Sequence, residues 1–284
     1  MGDIHWEMFG ASVRGATHSR DGRPNQDSIG WDRDGGAVVL AAADGHGSAK
    51  SFRSDRGSRF AVQAAVKEIL TLIGPHDAPV SLSAIKRMAG GALPQEIVKR
   101  WIEAVDIDLR EPDGGSRVEV GSGPLIAYGS TILAVGMTGS FAVYCQLGDG
   151  DILCVSDEGE CVRPLDKDDR LFANETTSLC TPQAWRDFRV AFQVFSERTP
   201  AMILLATDGY SNSYRDDSGF LKVGADILGA IRCEGWESVK NDLPEWLSET
   251  SLRGSGDDIT VGLVVRNDII EAGRGEPAAA PSTP

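Results

Sequence analysis

The segment Ala37-Val-Val-Leu-Ala-Ala-Ala-Asp44-Gly-His-Gly47 runs seven apolar residues directly into a carboxylate. An apolar run of this length, closed by glycine, predicts a buried β-strand that ends at Asp44. A charged aspartate at the end of a buried strand is costly to desolvate unless something compensates for it. The alternative is that Asp-Gly is only a turn sequence, and for a single pair the two interpretations are equally good.

The same pattern recurs along the chain. Apolar residues lead into Asp149-Gly150 and Asp208-Gly209, and Asp257-Asp258 opens an apolar run over 259–265 in the reverse order. Converging carboxylates repel one another and need a hard cation between them, and oxygen-rich sites favour Mg²⁺ or Mn²⁺. Two such ions a few ångströms apart hold a phosphoryl group and activate water. The repetition therefore favours a two-metal site over unrelated turns.

Hydrophobic periodicity divides the rest of the chain into strands and helices. Their arrangement in runs, without regular alternation, predicts an α+β layered domain. Helices are predicted over 54–73, 82–109 (interrupted at 90–91 and 94), 223–232 and 236–252, where Pro244 is a potential break. Strands are predicted over 6–13, 37–43, 130–135, 142–147, 152–155, 189–195, 202–206 and 259–265. A polar loop over 18–27 lies between the first two strands.

The composition is that of a globular protein. The chain has 284 residues, of which 41% are hydrophobic, enough to bury a sizeable core. We expect one catalytic domain over residues 1–268. We also expect a disordered tail over 269–284, because its Ala, Pro and Gly residues bury little apolar area.

The net charge, the apolar runs, the N-terminal sequence and the cysteines indicate which partners and which cellular compartment to expect. A net charge of −14 argues against nucleic acid, because a binder of the phosphate backbone needs a basic surface. No apolar run approaches the ~20 residues that span a bilayer, which argues against a membrane partner. The N-terminus lacks the basic start of a signal peptide. Five cysteines without a C-x-x-C pair fit a reducing compartment, so we expect a cytoplasmic protein.

Six short motifs identify a family when they are taken in order. They are Asn25-Gln-Asp27, Asp44-Gly-His-Gly47, Gly129-Ser-Thr131, Gly148-Asp149, Thr207-Asp-Gly209 and Asp257-Asp-Ile-Thr260. This set resembles the PP2C (PPM) metal-dependent protein serine/threonine phosphatases over roughly residues 8 to 266. The Asn-Gln-Asp variant and the segment Asn174-Glu-Thr-Thr-Ser178 resemble the bacterial branch. The resemblance implies a four-layer α-β-β-α sandwich with two central antiparallel sheets.

The resemblance also implies which residues hold metal. Asp44 would bridge two catalytic Mn²⁺ or Mg²⁺ ions, with the carbonyl of Gly45 as a further ligand. Asp208 and Asp257 would complete the shell of the first ion. Asp149 would hold a third, weaker ion together with Asp208.

Further roles follow for residues beside the metals. By the resemblance, His46 would be the general acid that protonates the leaving serine or threonine oxygen. Asp27 would orient metal-bound water. Gln26 stands where the family usually has glutamate, and a neutral amide is a weaker ligand, which predicts looser binding of the second ion.

The phosphate-binding arginine of the family has no direct counterpart. Its position falls on Gly22, unless the loop carries four additional residues. In that alignment Gly15-Ala-Thr-His18 matches the family's Gly-x-x-Arg, and His18 contacts the substrate phosphate. Arg20 and Arg23 are rival candidates for this contact.

These observations predict a phosphatase that hydrolyses phosphoserine and phosphothreonine in proteins with a water activated by two metals. The resemblance implies phosphorylated protein substrates and a cognate Ser/Thr kinase as partners; nothing in the sequence indicates the oligomeric state. Two alternatives stay open: a catalytically weak, phosphatase-shaped binding module, and a metal-dependent phosphatase for a small metabolite. Asp44, Asp208 and Asp257 favour the enzyme, because an inert relative is expected to lose one of them.

Overall fold

The computed structural model describes residues 4–76, 78–111, 123–167, 177–195 and 199–273. The strands are β1 (Trp6–Val13), β2 (Ser28–Asp34), β3 (Ala37–Ala43), β4 (Ile132–Met137), β5 (Phe141–Leu147), β6 (Asp151–Val155), β7 (Cys161–Val162), β8 (Arg189–Val194), β9 (Met202–Ala206) and β10 (Ile259–Arg266). The helices are α1 (Ala16–Asp21), α2 (Ser54–Ile73), α3 (Leu82–Gly90), α4 (Ala92–Arg110), α5 (Asp208–Ser211), α6 (Asp217–Glu234), α7 (Trp236–Arg253) and α8 (Asn267–Gly273).

The strands form two antiparallel sheets with five strands each. Their orders are β1-β10-β9-β6-β7 and β2-β3-β4-β5-β8. One cluster of apolar side chains, including Leu40, Leu133 and Leu205, draws on both sheets and fills the space between them. A second cluster packs one sheet against α2, α3 and α4, and a third packs the other sheet against α6, α7 and α8. The predicted four-layer α-β-β-α arrangement is therefore confirmed.

Strand β3 shows why its sequence is apolar throughout. Val38 and Leu40 belong to the core between the sheets, whereas Val39 and Ala41 belong to the core under the helices. Every residue of β3 is buried, because both faces of its sheet are covered. A strand that is covered on both faces needs no polar alternation, so its apolar run continues to Asp44.

Several predicted elements are corrected at their edges. The predicted loop over 18–27 contains most of α1, and β2 follows it. Four of the seven residues of β2 are exposed, so this edge strand lacked an apolar signal. Pro244 lies inside α7 without ending it.

The first five residues of the tail expected over 269–284 form a helix instead. Residues 269–273 belong to α8, where Ile269 and Ile270 are buried in the core that also contains α6. The two isoleucines gain enough from burial to hold this helix on the domain. Residues 274–284 lie outside the described residues, as do 174–176 of the bacterial-type segment. None of the described helices is both long and apolar enough to cross a membrane.

Candidate active site

The predicted aspartates meet where the two sheets end side by side. Asp44 directly follows β3 in one sheet, and Asp208 follows β9 in the other after a single residue, Thr207. The Thr207 hydroxyl donates to Oδ2 of Asp27 at 2.8 Å, which joins the segment before β2 to the end of β9. The carboxyl groups of Asp27 and Asp208 lie close enough to that of Asp44 to perturb its ionisation. Asp44 is thus the centre of the cluster, the place that a bridging ligand would occupy.

The carboxylates strongly perturb one another. Burial raises the pKa of Asp44 well above its ordinary range, and the charges of Asp27, Asp208 and Asp257 raise it further. Burial also raises the pKa of Asp27 to about 7. The pKa of Asp208 rises to about 6, through burial and then repulsion from Asp149 and Asp257. So many carboxylates in one place hold protons at neutral pH unless a cation replaces those protons.

The cluster is closed at its base and open on one side. Asp27 is buried, Asp44 and Asp208 are half-buried, and Asp149 and Asp257 are exposed. At Gly45, an added methyl group would lie 2.5 Å from the Gln26 carbonyl oxygen. Only glycine therefore allows the backbone to pass so close beneath Asp44. The exposed side leaves a route by which a cation and a phosphoryl group can approach.

His46 lies beside the aspartates and packs against a glycine. Its backbone N–H donates to the Gly129 carbonyl at 3.0 Å. A methyl group at Gly129 would come within 3.0 Å of Nδ1 of the His46 ring. Among the described residues, Nε2 of His46 has no hydrogen-bond partner. Burial lowers the pKa of His46, although the nearby Asp149 carboxylate opposes the shift.

Gln26 joins the loop to helix α2. Its side-chain amide donates to the Ser54 hydroxyl at 2.6 Å, and the Ser58 hydroxyl donates to its backbone carbonyl at 2.6 Å. Its Oε1 is buried and has no hydrogen-bond partner in the described part of the chain. This buried amide oxygen without a partner could bind a metal ion, but only weakly, because an amide is neutral.

His18 does not lie where a phosphate contact would be expected. The residue is only 6% exposed. Its Nδ1 lies 2.9 Å from Oδ2 of Asp258, and its Nε2 lies 3.7 Å from Oδ1 of Asp257. The structure argues against the predicted phosphate contact, because the ring is enclosed and faces carboxylates that repel an anion.

Arg23 is the better placed of the two rival arginines. A methyl group at Gly47, beside His46, would lie 3.7 Å from Nη1 of Arg23. Arg23 is partly exposed and pairs only with Asp21 among the described carboxylates, at 3.0 Å. Arg20 donates instead to the Thr17 hydroxyl on the exposed face of α1. The geometry therefore favours Arg23 as the cationic side chain that reaches the site.

The sequence marks Asp258 only as the neighbour of Asp257. Its side chain is 3% exposed, whereas that of Asp257 is 52% exposed. Asp258 accepts hydrogen bonds from the backbone N–H groups of Gly15 and Gln26 at 2.6 and 2.7 Å. Two adjacent aspartates thus have different surroundings. No sequence signal distinguishes them, because the fold decides which of the two side chains before β10 is buried and which is exposed.

The comparison with known families now decides the class. A family model described as Protein phosphatase 2C matches residues 14–248, most of the chain. The chain belongs to the protein phosphatase 2C family. This membership confirms the predicted enzyme class, a metal-dependent protein phosphatase that acts on phosphoproteins.

Solved structures agree with the fold of the protein phosphatase 2C family. A serine/threonine phosphatase of S. agalactiae is 19% identical, with a TM-score of 0.56, and the match covers 92% of this chain and 99% of that one. The Mycobacterium tuberculosis phosphatase PstP/Ppp is 15% identical, with a TM-score of 0.53 and coverage of 92% and 98%. A PstP catalytic domain in complex with 2 manganese ions is 16% identical, with a TM-score of 0.54 and coverage of 93% and 99%. No curated protein matches the chain by sequence. At these identities the likeness shows the fold alone.

Proposed function

We propose that this member of the protein phosphatase 2C family removes phosphate from phosphoserine and phosphothreonine in proteins, with Mn²⁺ or Mg²⁺ bound among its aspartates. The observation that carries the proposal is the cluster centred on Asp44. Its pKa is raised by burial and by the charges of Asp27, Asp208 and Asp257, as expected for carboxylates that the fold brings together against their mutual repulsion. Such an arrangement is costly without a cation, and carboxylates with strongly raised pKa values are typical of functional sites.

The donor atoms suit hard divalent cations. All the predicted ligands are oxygens, which favours Mg²⁺ and Mn²⁺ over softer metals. Asp44, Asp208 and Asp257 would hold one ion, Asp44 and the Gly45 carbonyl a second, and Asp149 with Asp208 a third. When bound, the ions would polarise the phosphoryl oxygens and generate the attacking nucleophile from water.

The protein's own side chains would supply proton transfer and orientation. His46 would donate a proton to the leaving serine or threonine oxygen. Its Nε2 is buried without a hydrogen-bond partner among the described residues, and the next residue, Gly47, is exposed; both observations support this role. Asp27, oriented by the Thr207 hydroxyl, would hold the water molecule in place. Arg23 would contact the phosphate with a charge that does not change with pH.

The biological setting is a proposal of the same kind. A phosphoprotein substrate implies a Ser/Thr kinase that phosphorylates it, and we propose a cytoplasmic pair of this type. We place the catalytic domain at residues 1–273, since α8 packs on the core. The oligomeric state does not enter this proposal.

The deciding experiment is hydrolysis of a phosphothreonine peptide by the purified chain with Mn²⁺, then with excess chelator, then with Mn²⁺ restored. We expect activity, its loss and its recovery. Full activity in excess chelator would contradict the metal-dependent reaction. Binding of the peptide without turnover at any Mn²⁺ concentration would instead support the phosphatase-shaped binding module. Turnover of small phosphate esters but of no phosphopeptide would support the metabolite phosphatase.

A further inference from the structure

One buried carboxylate holds both ends of the segment that carries Arg23. Asp258 accepts from the Gly15 N–H at its Oδ1 and from the Gln26 N–H at its Oδ2. Its Oδ2 also lies 2.9 Å from Nδ1 of His18. The segment 15–26 therefore folds around Asp258, which directly adjoins Asp257.

We infer that His18 and Asp258 form a latch, a pair of positioning residues that sets the 15–27 segment against the metal-binding aspartates. The latch depends on the proposed function only for the roles of Arg23, Asp27 and Asp257 at the active site. Neither latch residue is assigned as a metal ligand, and the enclosed ring of His18 leaves the phosphate contact to Arg23. Their side chains are 8% and 3% exposed, so each is enclosed by the elements it joins.

The start of the segment is packed directly on the turn that contains Asp258. A methyl group at Gly15 would lie 2.4 Å from the carbonyl carbon of Asp257. The Thr17 N–H donates to the Gly256 carbonyl at 2.8 Å. Helix α1, which has six residues, is too short to be stable by itself, so these contacts determine where it lies.

His18 connects this anchor to Arg23. Its carbonyl accepts from the Arg23 N–H at 3.0 Å and from Nη2 of Arg14 at 2.8 Å. Its ring faces Asp258 on one edge and Asp257 on the other. A shift of the His18 ring would therefore move the backbone that positions Arg23. It would also remove the contact with Asp258, the residue next to Asp257.

The contact of His18 with Asp258 is close but imperfectly aligned. The 2.9 Å separation is that of a hydrogen bond, yet the N–H direction at Nδ1 does not meet the geometry of one. Nδ1 has no alternative partner in the described part of the chain. Its 2.9 Å approach to the Asp258 carboxylate is therefore the contact that offsets the burial of this nitrogen, because a buried imidazole nitrogen without any partner would be costly.

Three substitutions separate the latch from simple space filling. His18→Asn places an amide N–H near the position of Nδ1, His18→Gln places one near that of Nε2, and His18→Leu removes the donor. His76→Leu is the control. His76 follows α2, lies outside the segment, and contacts the carbonyl of Leu72 in that helix.

The main measurement is hydrogen–deuterium exchange of the 15–27 peptide in the metal-free protein. We expect His18→Leu and His18→Gln to exchange about 10- to 100-fold faster, the range for a lost hydrogen bond to a charged group. His18→Asn should stay near the wild-type rate, and His76→Leu should not change it. Equal exchange in the Asn, Gln and Leu variants would overturn the latch, as would a lower melting temperature with unchanged exchange in this segment. If His18→Leu does not fold, the comparison of His18→Asn with His18→Gln decides by itself.

A second measurement tests what the latch positions. Calorimetric titration with Mn²⁺ should show weaker binding in His18→Gln than in His18→Asn, by about tenfold, as for residues that orient a metal ligand. KM for a phosphothreonine peptide should rise in the same order. Identical Mn²⁺ affinity and KM in the two variants would overturn the positioning role. Exchange and Mn²⁺ binding decide the latch even if the chain hydrolyses no phosphopeptide.

Discussion

The strand ends and the 15–27 segment both supply residues to the candidate site, but they are held in different ways. Strands β3 and β9 are buried along their whole length and are paired on both sides, so they place Asp44 and Asp208 with little freedom. The 15–27 segment contains one six-residue helix and is held by contacts with Asp258, 243 positions from Gly15. The position of a strand end follows from local pattern, whereas the position of the segment depends on a distant turn.

The largest expected effect concerns the strand ends. Asp44→Asn should lower phosphopeptide hydrolysis by about 10⁴-fold or more, because loss of the ions removes several kcal/mol of stabilisation. The metal-free variant should be at least as stable as the wild type, since repulsion within the cluster falls. Turnover and melting temperature are measured together, with Asp106→Asn on the exposed face of α4 as the control. Gross unfolding of the Asp44 variant would support the turn interpretation.

The next effect concerns the side chain that follows a strand end. His46→Ala should slow hydrolysis of a phosphothreonine peptide by roughly 10²–10⁴-fold, because an alkoxide leaving group needs a proton. The aryl oxide released from an aryl phosphate leaves without that proton, so the substitution should slow hydrolysis of an aryl phosphate much less. The two rates are compared in the same preparation. Equal losses on both substrates would show that His46 is not the general acid.

The third prediction tests the segment. Arg23→Ala should raise KM for the phosphopeptide by about tenfold, as for a hydrogen bond to a charged group, whereas Arg20→Ala, on the exposed face of α1, should change it little. The increase should be the same from pH 6 to pH 8, since a guanidinium stays charged. A larger increase from Arg20→Ala would instead place the phosphate contact on the exposed face of α1.

The last effect concerns protons in the metal-free cluster. Folding raises the pKa of Asp27 from 3.8 to about 7, so the folded protein retains a proton that the unfolded chain releases. The free energy of unfolding should therefore fall by about 1.4 kcal/mol per pH unit as pH rises from about 4 to about 7, and then level off. Denaturant titrations across this range, with Asp27→Asn as the variant that removes this group, measure it. With excess Mn²⁺ the slope should reverse, because ligands must lose protons to bind metal. A slope that is unchanged by Asp27→Asn would assign the effect to other groups.

Much of the fold follows from local patterns in the sequence. The apolar runs of β3 and β9 and the helical spacing of α2 predict elements at nearly the observed bounds. The edge strand β2 was missed because its exposed residues carry no periodic signal. The tail boundary was misplaced because composition does not show that Ile269 and Ile270 bury themselves against a distant helix.

The sequence by itself determined the identity of the candidate site. Asp208 after β9 and Asp257 before β10 lie at one edge because these neighbouring strands are antiparallel, so this part of the convergence follows from local pattern and sheet geometry. Only the tertiary structure distinguished the surroundings of His18, Arg20 and Arg23, and those of Asp257 and Asp258. These residues lie in turns, where neighbours in the chain share the same local signal. The difference between an enclosed side chain and an exposed one there depends on which distant backbone N–H groups reach it, and that information exists only once the segment has docked.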